Sequence, residues 1–117
     1  MQYILLIGID EARDEALSPE ETAEQTAAYG KWVQECAARG ALVGGERLRR
    51  SSDATTVQVR NGEVVTLDGP FAETKEQIGG YFVIDVENLD QAIQAASMLP
   101  HAATGTIEVR PIWPMDM

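Results

Sequence analysis

Apolar residues follow two periods along this chain, and the periods predict its strands and helices. The opening run from Tyr3 to Ile9 is hydrophobic at successive positions, so both of its alternating faces are apolar. A strand of this kind is usually covered on both sides of its sheet. Further strands are predicted at residues 41–48, 55–60, 63–67, 79–86 and 106–112, and Asn61-Gly62 predicts a type I′ hairpin turn.

Two helices are predicted between these strands. Ser18-Pro19-Glu20-Glu21 combines a cap residue, a proline suited to the first helical position and a glutamate that completes a capping box. This helix should run to about Arg39 and end at Gly40. The second should begin at Asn88 and end at Pro100. Residues 10–17 are acidic, and we predict a loop there.

The order strand–helix–strand, inserted hairpin, strand–helix–strand predicts one α+β domain over residues 1–117. We expect a ferredoxin-like sheet made of two split βαβ halves, with both helices on one face. The helices would leave the other face open, although the first strand is apolar on both sides. A second copy of the chain is therefore expected to cover that face, giving a homodimer.

Charge and composition narrow the functional classes. The chain has 117 residues, of which 9 are basic and 19 acidic, and its net charge of −10 argues against nucleic acid and anionic membranes as partners. We recognise neither a secretory signal nor an apolar run of the roughly 20 residues that span a bilayer. A single cysteine, Cys36, and a single histidine, His101, leave no internal disulfide and no cysteine or multi-histidine metal site. We expect a cytoplasmic protein without metal or cofactor.

Residues 68–81, DGPFAETKEQIGGY, break both periods and resemble the signature of the DGPF-type proteins in the YCII-related superfamily. The opening YILLI, LSPEE at 17–21, ATTV at 54–57 and GTIEVRP at 105–111 resemble the family pattern in the same order. The resemblance thus covers nearly the whole chain. It implies a dimeric α+β barrel built from two ferredoxin-like subunits.

The resemblance implies less about activity, because most members have no established reaction. The superfamily is similar in fold to muconolactone isomerase, and some members carry a His and Asp pair in a cleft. Some relatives are fused to, or encoded beside, extracytoplasmic-function sigma factors, which implies a regulatory setting. The first predicted helix, where the family's histidine would fall, contains no histidine, so that pair cannot be transferred to this chain.

The loop at residues 68–76 is the first candidate site, and two interpretations of it stay open. Asp68-Gly69-Pro70 suits a tight turn, after which Phe71 would fill the core. Glu73, Lys75 and Glu76 bring more charge than a turn needs, and such a group could bind a polar ligand.

Aromatic and titratable side chains elsewhere give further candidates. Tyr29 and Trp32 lie one helical turn apart on an apolar face, where they form core or border a pocket. His101 follows Pro100 in a predicted loop, a place where histidine is usually solvated. It is still a general-base candidate, because histidine ordinarily titrates near neutrality.

The leading hypothesis is a small molecule bound between helices and sheet, with cofactor-free acid–base chemistry of the isomerase type. The proposed catalytic residues are Asp68, His101 and Tyr29. The proposed ligand-binding residues are Trp32, Glu46, Phe71, Glu73, Lys75, Glu76, Tyr81, Glu108 and Arg110. Glu108 and Arg110 share one strand face and also suit a structural salt bridge. The alternative function is a non-catalytic module that senses a ligand or contacts a regulatory partner such as a sigma factor.

Overall fold

Six strands and four α-helices follow one another in residues 1–115, the part of the chain that the computed structural model describes. The strands are β1 (Gln2–Ile9), β2 (Leu42–Arg47), β3 (Thr55–Arg60), β4 (Glu63–Asp68), β5 (Gln77–Asp85) and β6 (Thr106–Pro111). The helices are α1 (Glu11–Glu15), α2 (Pro19–Ala38), α3 (Leu89–Ser97) and α4 (His101–Thr104), and a 3-10 turn spans Ser51–Asp53.

Four strands form an antiparallel sheet in the order β2-β5-β1-β6, which confirms the α+β class. The central strand β1 pairs on both sides, and Leu5 lies opposite Phe82 of β5 and Val109 of β6. Within residues 1–115 this sheet does not close into a barrel. One face of β1 is therefore available to the helices and the other is not covered by them.

The core lies between this sheet and the helices. Leu5 of β1 and Ile84 of β5 are fully buried beneath α2 and α3. Trp32 of α2 is also buried, and its indole N–H donates to the carbonyl oxygen of Ala95 at 2.9 Å. Its ring packs 4.6 Å from that of Phe82. These contacts dock α2 and α3 against the same sheet face.

The predicted helix starts are confirmed by their caps. The Ser18 hydroxyl accepts from the amide of Glu21 at 3.1 Å, and the Glu21 carboxylate accepts from the amide of Ser18 at 3.0 Å. Hydrogen bonding to the Glu21 carboxylate by the Ser18 backbone amide, and to a lesser extent by the Ser18 side chain, holds the pKa of Glu21 below its ordinary value. Asn88 caps α3 by accepting from the amide of Gln91 at 3.0 Å.

Three local predictions were wrong. Residues 10–17 contain α1 instead of a loop, because Asp10 accepts from the amide of Arg13 as an N-cap and good helix formers follow it. His101 does not lie in a solvated loop, since it begins α4 and is only 6% exposed. Phe71 does not fill the core, and 91% of it is exposed.

The inserted hairpin is a separate two-stranded sheet of β3 and β4. Asn61 and Gly62 both have positive φ, at 52° and 77°, as the predicted type I′ turn requires. Val57, Val59 and Val64 share one face of the hairpin, and each is more than half exposed. An isolated hairpin is only marginally stable in water. An exposed apolar face of this kind is also unusual for a surface that contacts only water.

None of the helices in residues 1–115 is both long enough and apolar enough to cross a membrane.

We predict that Ser18→Ala lowers the free energy of unfolding by about 1 kcal/mol, because the N-terminus of α2 loses its side-chain cap. Urea unfolding at neutral pH measures this change. Ser52→Ala is the matched control, since Ser52 is exposed in the 3-10 turn and caps no helix. Equal unfolding midpoints for the two variants would contradict the role of the capping box.

Candidate active site

A cavity of about 420 Å³ lies between the helices and the β2–β5 side of the sheet. Its apolar wall consists of Ile7 and Ile9 at the end of β1 and Phe82 of β5. Charged side chains come from α1 and from the segment that leaves β2, namely Glu11, Asp14, Glu15, Arg47, Arg49 and Arg50. Such a size and a mixed apolar and polar lining are typical of small-molecule sites.

His101 forms one side of this cavity at the start of α4. Its Nε2 atom lies 2.8 Å from Oδ2 of Asp14, which α1 supplies. Its Nδ1 atom lies 2.5 Å from the hydroxyl oxygen of Tyr29 on α2. Three helices thus bring together a carboxylate, an imidazole and a phenol in one chain of hydrogen bonds.

The proton positions follow from what each partner can accept. The Asp14 carboxylate only accepts, so Nε2 of His101 carries the proton that it receives. In the neutral ring Nδ1 is then free to accept from the Tyr29 hydroxyl. The amide of Gln25, 3.3 Å from Nε2, complements this arrangement when its carbonyl oxygen faces the ring. His101 is therefore set to take up a second proton at Nδ1, beside Tyr29.

Tyr29 is half-buried and lines the cavity next to His101. Burial raises the pKa of Tyr29 to about 12, because the phenolate would lose water. Hydrogen bonding by the backbone of His101 opposes that rise, the negative charge of Asp14 adds to it, and the positive charge of Arg47 opposes it. Tyr29 is consequently a protonated donor at neutral pH.

The structure places two of the three predicted catalytic residues together. Tyr29 and His101 are in contact, whereas Asp68 is exposed at the end of β4, opposite Thr55, and does not border the cavity. The other loop candidates do not line it either. Phe71, Glu73 and Lys75 are exposed, and Glu76 is half-buried near Gly8.

The remaining ligand-binding candidates lie in two other places. Trp32 belongs to the core beside Phe82. Strand register directs Tyr81, Glu108 and Arg110 to the sheet face opposite the helices, where Glu108 and Arg110 form an ion pair. Glu46 borders the cavity, but its pairing with Tyr81 places its side chain on the same outer face.

Sequence reasoning missed Asp14, Gln25 and Arg47. The prediction of a loop at residues 10–17 hid the helical spacing of Glu11, Asp14 and Glu15 along one side of α1. That spacing could have indicated a shared face. Residues 1–115 bring no three histidine, cysteine or acidic side chains together as metal ligands.

The class that this fold and cavity define is a small α+β domain with a histidine–carboxylate pair in a cleft. The chain belongs to the YCII-related domain family, whose model matches residues 1–116. It is similar to an uncharacterized protein of Rhizobium meliloti (strain 1021), with 38% identity over 118 residues that cover 96% of this chain and 92% of the relative. Helix α2, which the sequence predicted as the first helix, contains no histidine, but Asp14 of α1 and His101 of α4 form a histidine–carboxylate pair.

We predict that Tyr29→Phe removes the tyrosine ionisation step near pH 12 from the titration of the folded protein. An unfolded tyrosine ionises near its ordinary value of 10.0. The contribution of Tyr29 to stability is therefore complete below pH 10 and is lost as the pH rises towards 12. Tyrosinate absorbance measures the step, and urea midpoints at alkaline pH measure the loss.

Tyr81→Phe is the matched control, because Tyr81 lies on the opposite face of the sheet. It should keep the step near pH 12 that belongs to Tyr29. Persistence of that step in Tyr29→Phe would show that Tyr29 does not carry the raised pKa.

Proposed function

We propose that this protein is a cofactor-free acid–base catalyst of the isomerase type, acting on a small molecule bound in the cavity. The observation that carries the proposal is the hydrogen-bonded chain from Asp14 through His101 to Tyr29 at the cavity wall. A buried histidine with a carboxylate on one nitrogen and a hydroxyl on the other has the arrangement of a general base with its orienting group.

The hydrogen-bonded residues Asp14, His101 and Tyr29 transfer a proton without a cofactor. As a C–H bond beside a carbonyl group of the substrate breaks, its proton passes to the Tyr29 oxygen, and the Tyr29 proton passes to Nδ1 of His101. The electron pair stays on the substrate as an enolate, and Asp14 stabilises the imidazolium. Reversal of both transfers at a different carbon of the substrate gives the isomer and restores the protein.

The order of the strands in the sheet supports a ferredoxin-like fold. An antiparallel sheet ordered β2-β5-β1-β6, with helical crossovers after β1 and β5, has the arrangement of a ferredoxin-like split βαβ fold with a hairpin inserted. We propose that two such subunits pair through their open sheet faces as a dimeric α+β barrel.

The uncovered face of the sheet supports this pairing. Ile4 and Leu6 of β1 lie next to Val83 and Tyr81 of β5, and all four are half-exposed in one chain. The chain is also flat, with extents of 48 × 47 × 18 Å. Its radius of gyration of 16.2 Å exceeds the roughly 13 Å of a compact chain of this length. A second subunit would cover the apolar strip.

A non-catalytic interaction module is the second candidate, and one observation favours it. The exposed valine face of the hairpin, Val57, Val59 and Val64, and the exposed Phe71 offer apolar surface to a regulatory partner such as a sigma factor. Either function suits a reducing compartment such as the cytoplasm, because Cys36 is buried and unpaired.

We predict that the protein exchanges carbon-bound hydrogen for deuterium in at least one compound of a panel of 2-oxo acids, lactones and enones. His101→Gln and Asp14→Asn should slow the exchange about 100-fold or more, since each breaks the proton chain. NMR in heavy water measures the rate.

Asp90→Asn is the matched control for Asp14→Asn, because Asp90 is exposed in the first turn of α3. It should exchange at the wild-type rate. An absence of exchange across the whole panel, or equal rates in all variants, would favour the non-catalytic module.

We predict a mass near twice the 12.8 kDa of one chain by light scattering at micromolar concentration. Leu6→Glu should give the monomer mass, because it places a charge in the apolar strip of the open face. Val64→Glu, on the hairpin, should keep the dimer mass. Circular dichroism verifies that both variants are folded, and a monomeric wild-type protein would contradict the proposed pairing.

A further inference from the structure

The negative charges that α1 brings to the cavity are all engaged by neighbouring groups. Glu11 accepts from the backbone amide of Ser51 at 2.8 Å and from its hydroxyl. Asp14 accepts from His101, and Glu15 pairs with Arg50 at 3.1 Å. Each of these three carboxylates therefore already has a partner within the protein.

The positive charges are not all engaged. Arg50 pairs with Glu15, and Arg49 pairs with Asp53 at 3.0 Å. Arg47 also lines the cavity, yet its guanidinium forms no ion pair and no hydrogen bond with any group in residues 1–115. Arg47 is exposed, so its guanidinium is accessible to a molecule that enters the cavity.

Strand register directs Arg47 to the helix side of the sheet. Its partner across the β2–β5 ladder is Gly80, which in turn lies opposite the buried Ile7 of β1. Gly80 has no side chain that could fill the space beside Arg47 on this face of the sheet. Arg47 and Tyr29 thus border the same cavity, and the charge of Arg47 acts on the Tyr29 phenol.

We propose that the cavity binds a small monocarboxylate with an apolar body, and that Arg47 binds its carboxylate group. A guanidinium donates two parallel hydrogen bonds to a carboxylate, which gives both affinity and orientation. The apolar body would lie against Ile7, Ile9 and Phe82. This inference deepens the proposed function, since it rests on the same cavity and names the substrate class.

A single negative charge suits this site better than two. With the Glu15–Arg50 pair set aside, Glu11 and Asp14 remain beside Arg47, so a dianion such as a phosphate monoester would meet two carboxylates and one unpaired cation. A carboxylate held at Arg47 would leave the rest of the molecule, including a C–H bond beside a separate carbonyl group, in the cavity that Tyr29 also borders.

Calorimetric titration of the full chain with phenylacetate tests the proposal. Phenylacetamide, the uncharged counterpart, should bind about 10-fold more weakly or worse, and Arg47→Met should weaken phenylacetate binding to a similar extent. Arg47→Lys should retain part of the affinity, because it keeps the charge without the planar fork. Arg60→Met, on the hairpin turn, is the matched control and should bind as the wild type does.

Several outcomes would overturn the proposal. Equal affinity for phenylacetate and phenylacetamide would exclude recognition of the carboxylate, and undetectable binding of phenylacetate would do the same. Unchanged binding by Arg47→Met, with a native circular dichroism spectrum, would exclude Arg47. Tighter, Arg47-dependent binding of phenyl phosphate would replace the carboxylate with a phosphate as the ligand class.

His101→Gln separates this proposal from the catalytic one. It should keep the affinity for phenylacetate while losing deuterium exchange, since Arg47 and not His101 binds the carboxylate. If phenylacetate binding depends on Arg47 but neither the wild type nor any variant exchanges deuterium, the proposed ligand class stands and the proposed catalysis is overturned. Exchange that needs His101 and is indifferent to Arg47→Met would overturn the ligand class alone.

Discussion

The burial of one side of β1 is the constraint on which the rest of the structure depends. Leu5 is fully buried at the centre of the sheet, and pairing on both sides of β1 places β5 and β6 around it. The helices pack where Leu5 and Ile84 point, because that is where apolar area leaves water. At the end of the same strand, Ile7 and Ile9 become the apolar wall of the cavity, so one strand forms both the core and the floor of the site.

Burying His101 has a cost that its neighbours offset. A buried polar group without partners costs about 1–3 kcal/mol, and Asp14 and Tyr29 together engage both ring nitrogens. An apolar residue at this position would need no such partners. Asp14, Tyr29 and His101 moreover border a cavity instead of the closed core. The imidazole of His101 is therefore within reach of a molecule bound there.

The features that could be predicted from the sequence are those with local signals. The capping box at Ser18, the cap at Asn88 and the hairpin turn at Asn61-Gly62 each depend on residues a few positions apart, and all three are confirmed. The site could not be predicted in this way, because Asp14 and His101 are separated by 87 residues and no periodicity relates them. The charge density of residues 68–76 marked a distinctive loop, but tertiary packing places that loop away from the cavity.

The two faces of the sheet divide the proposed roles between adjacent residues. On β2, Glu46 pairs with Tyr81 on the outer face, while the next residue, Arg47, faces the cavity. A second subunit on the outer face would therefore cover Leu6 and Tyr81 without entering the cavity. Any effect of association on ligand binding would have to pass through β2 and β5 themselves. Their pairing is tight at that point, since a Cβ atom at Gly80 would lie 2.9 Å from the carbonyl oxygen of Glu46. A shift of β2 caused by contacts at Glu46 would accordingly move Arg47 with it, so this edge strand would connect the proposed subunit interface to the proposed carboxylate site.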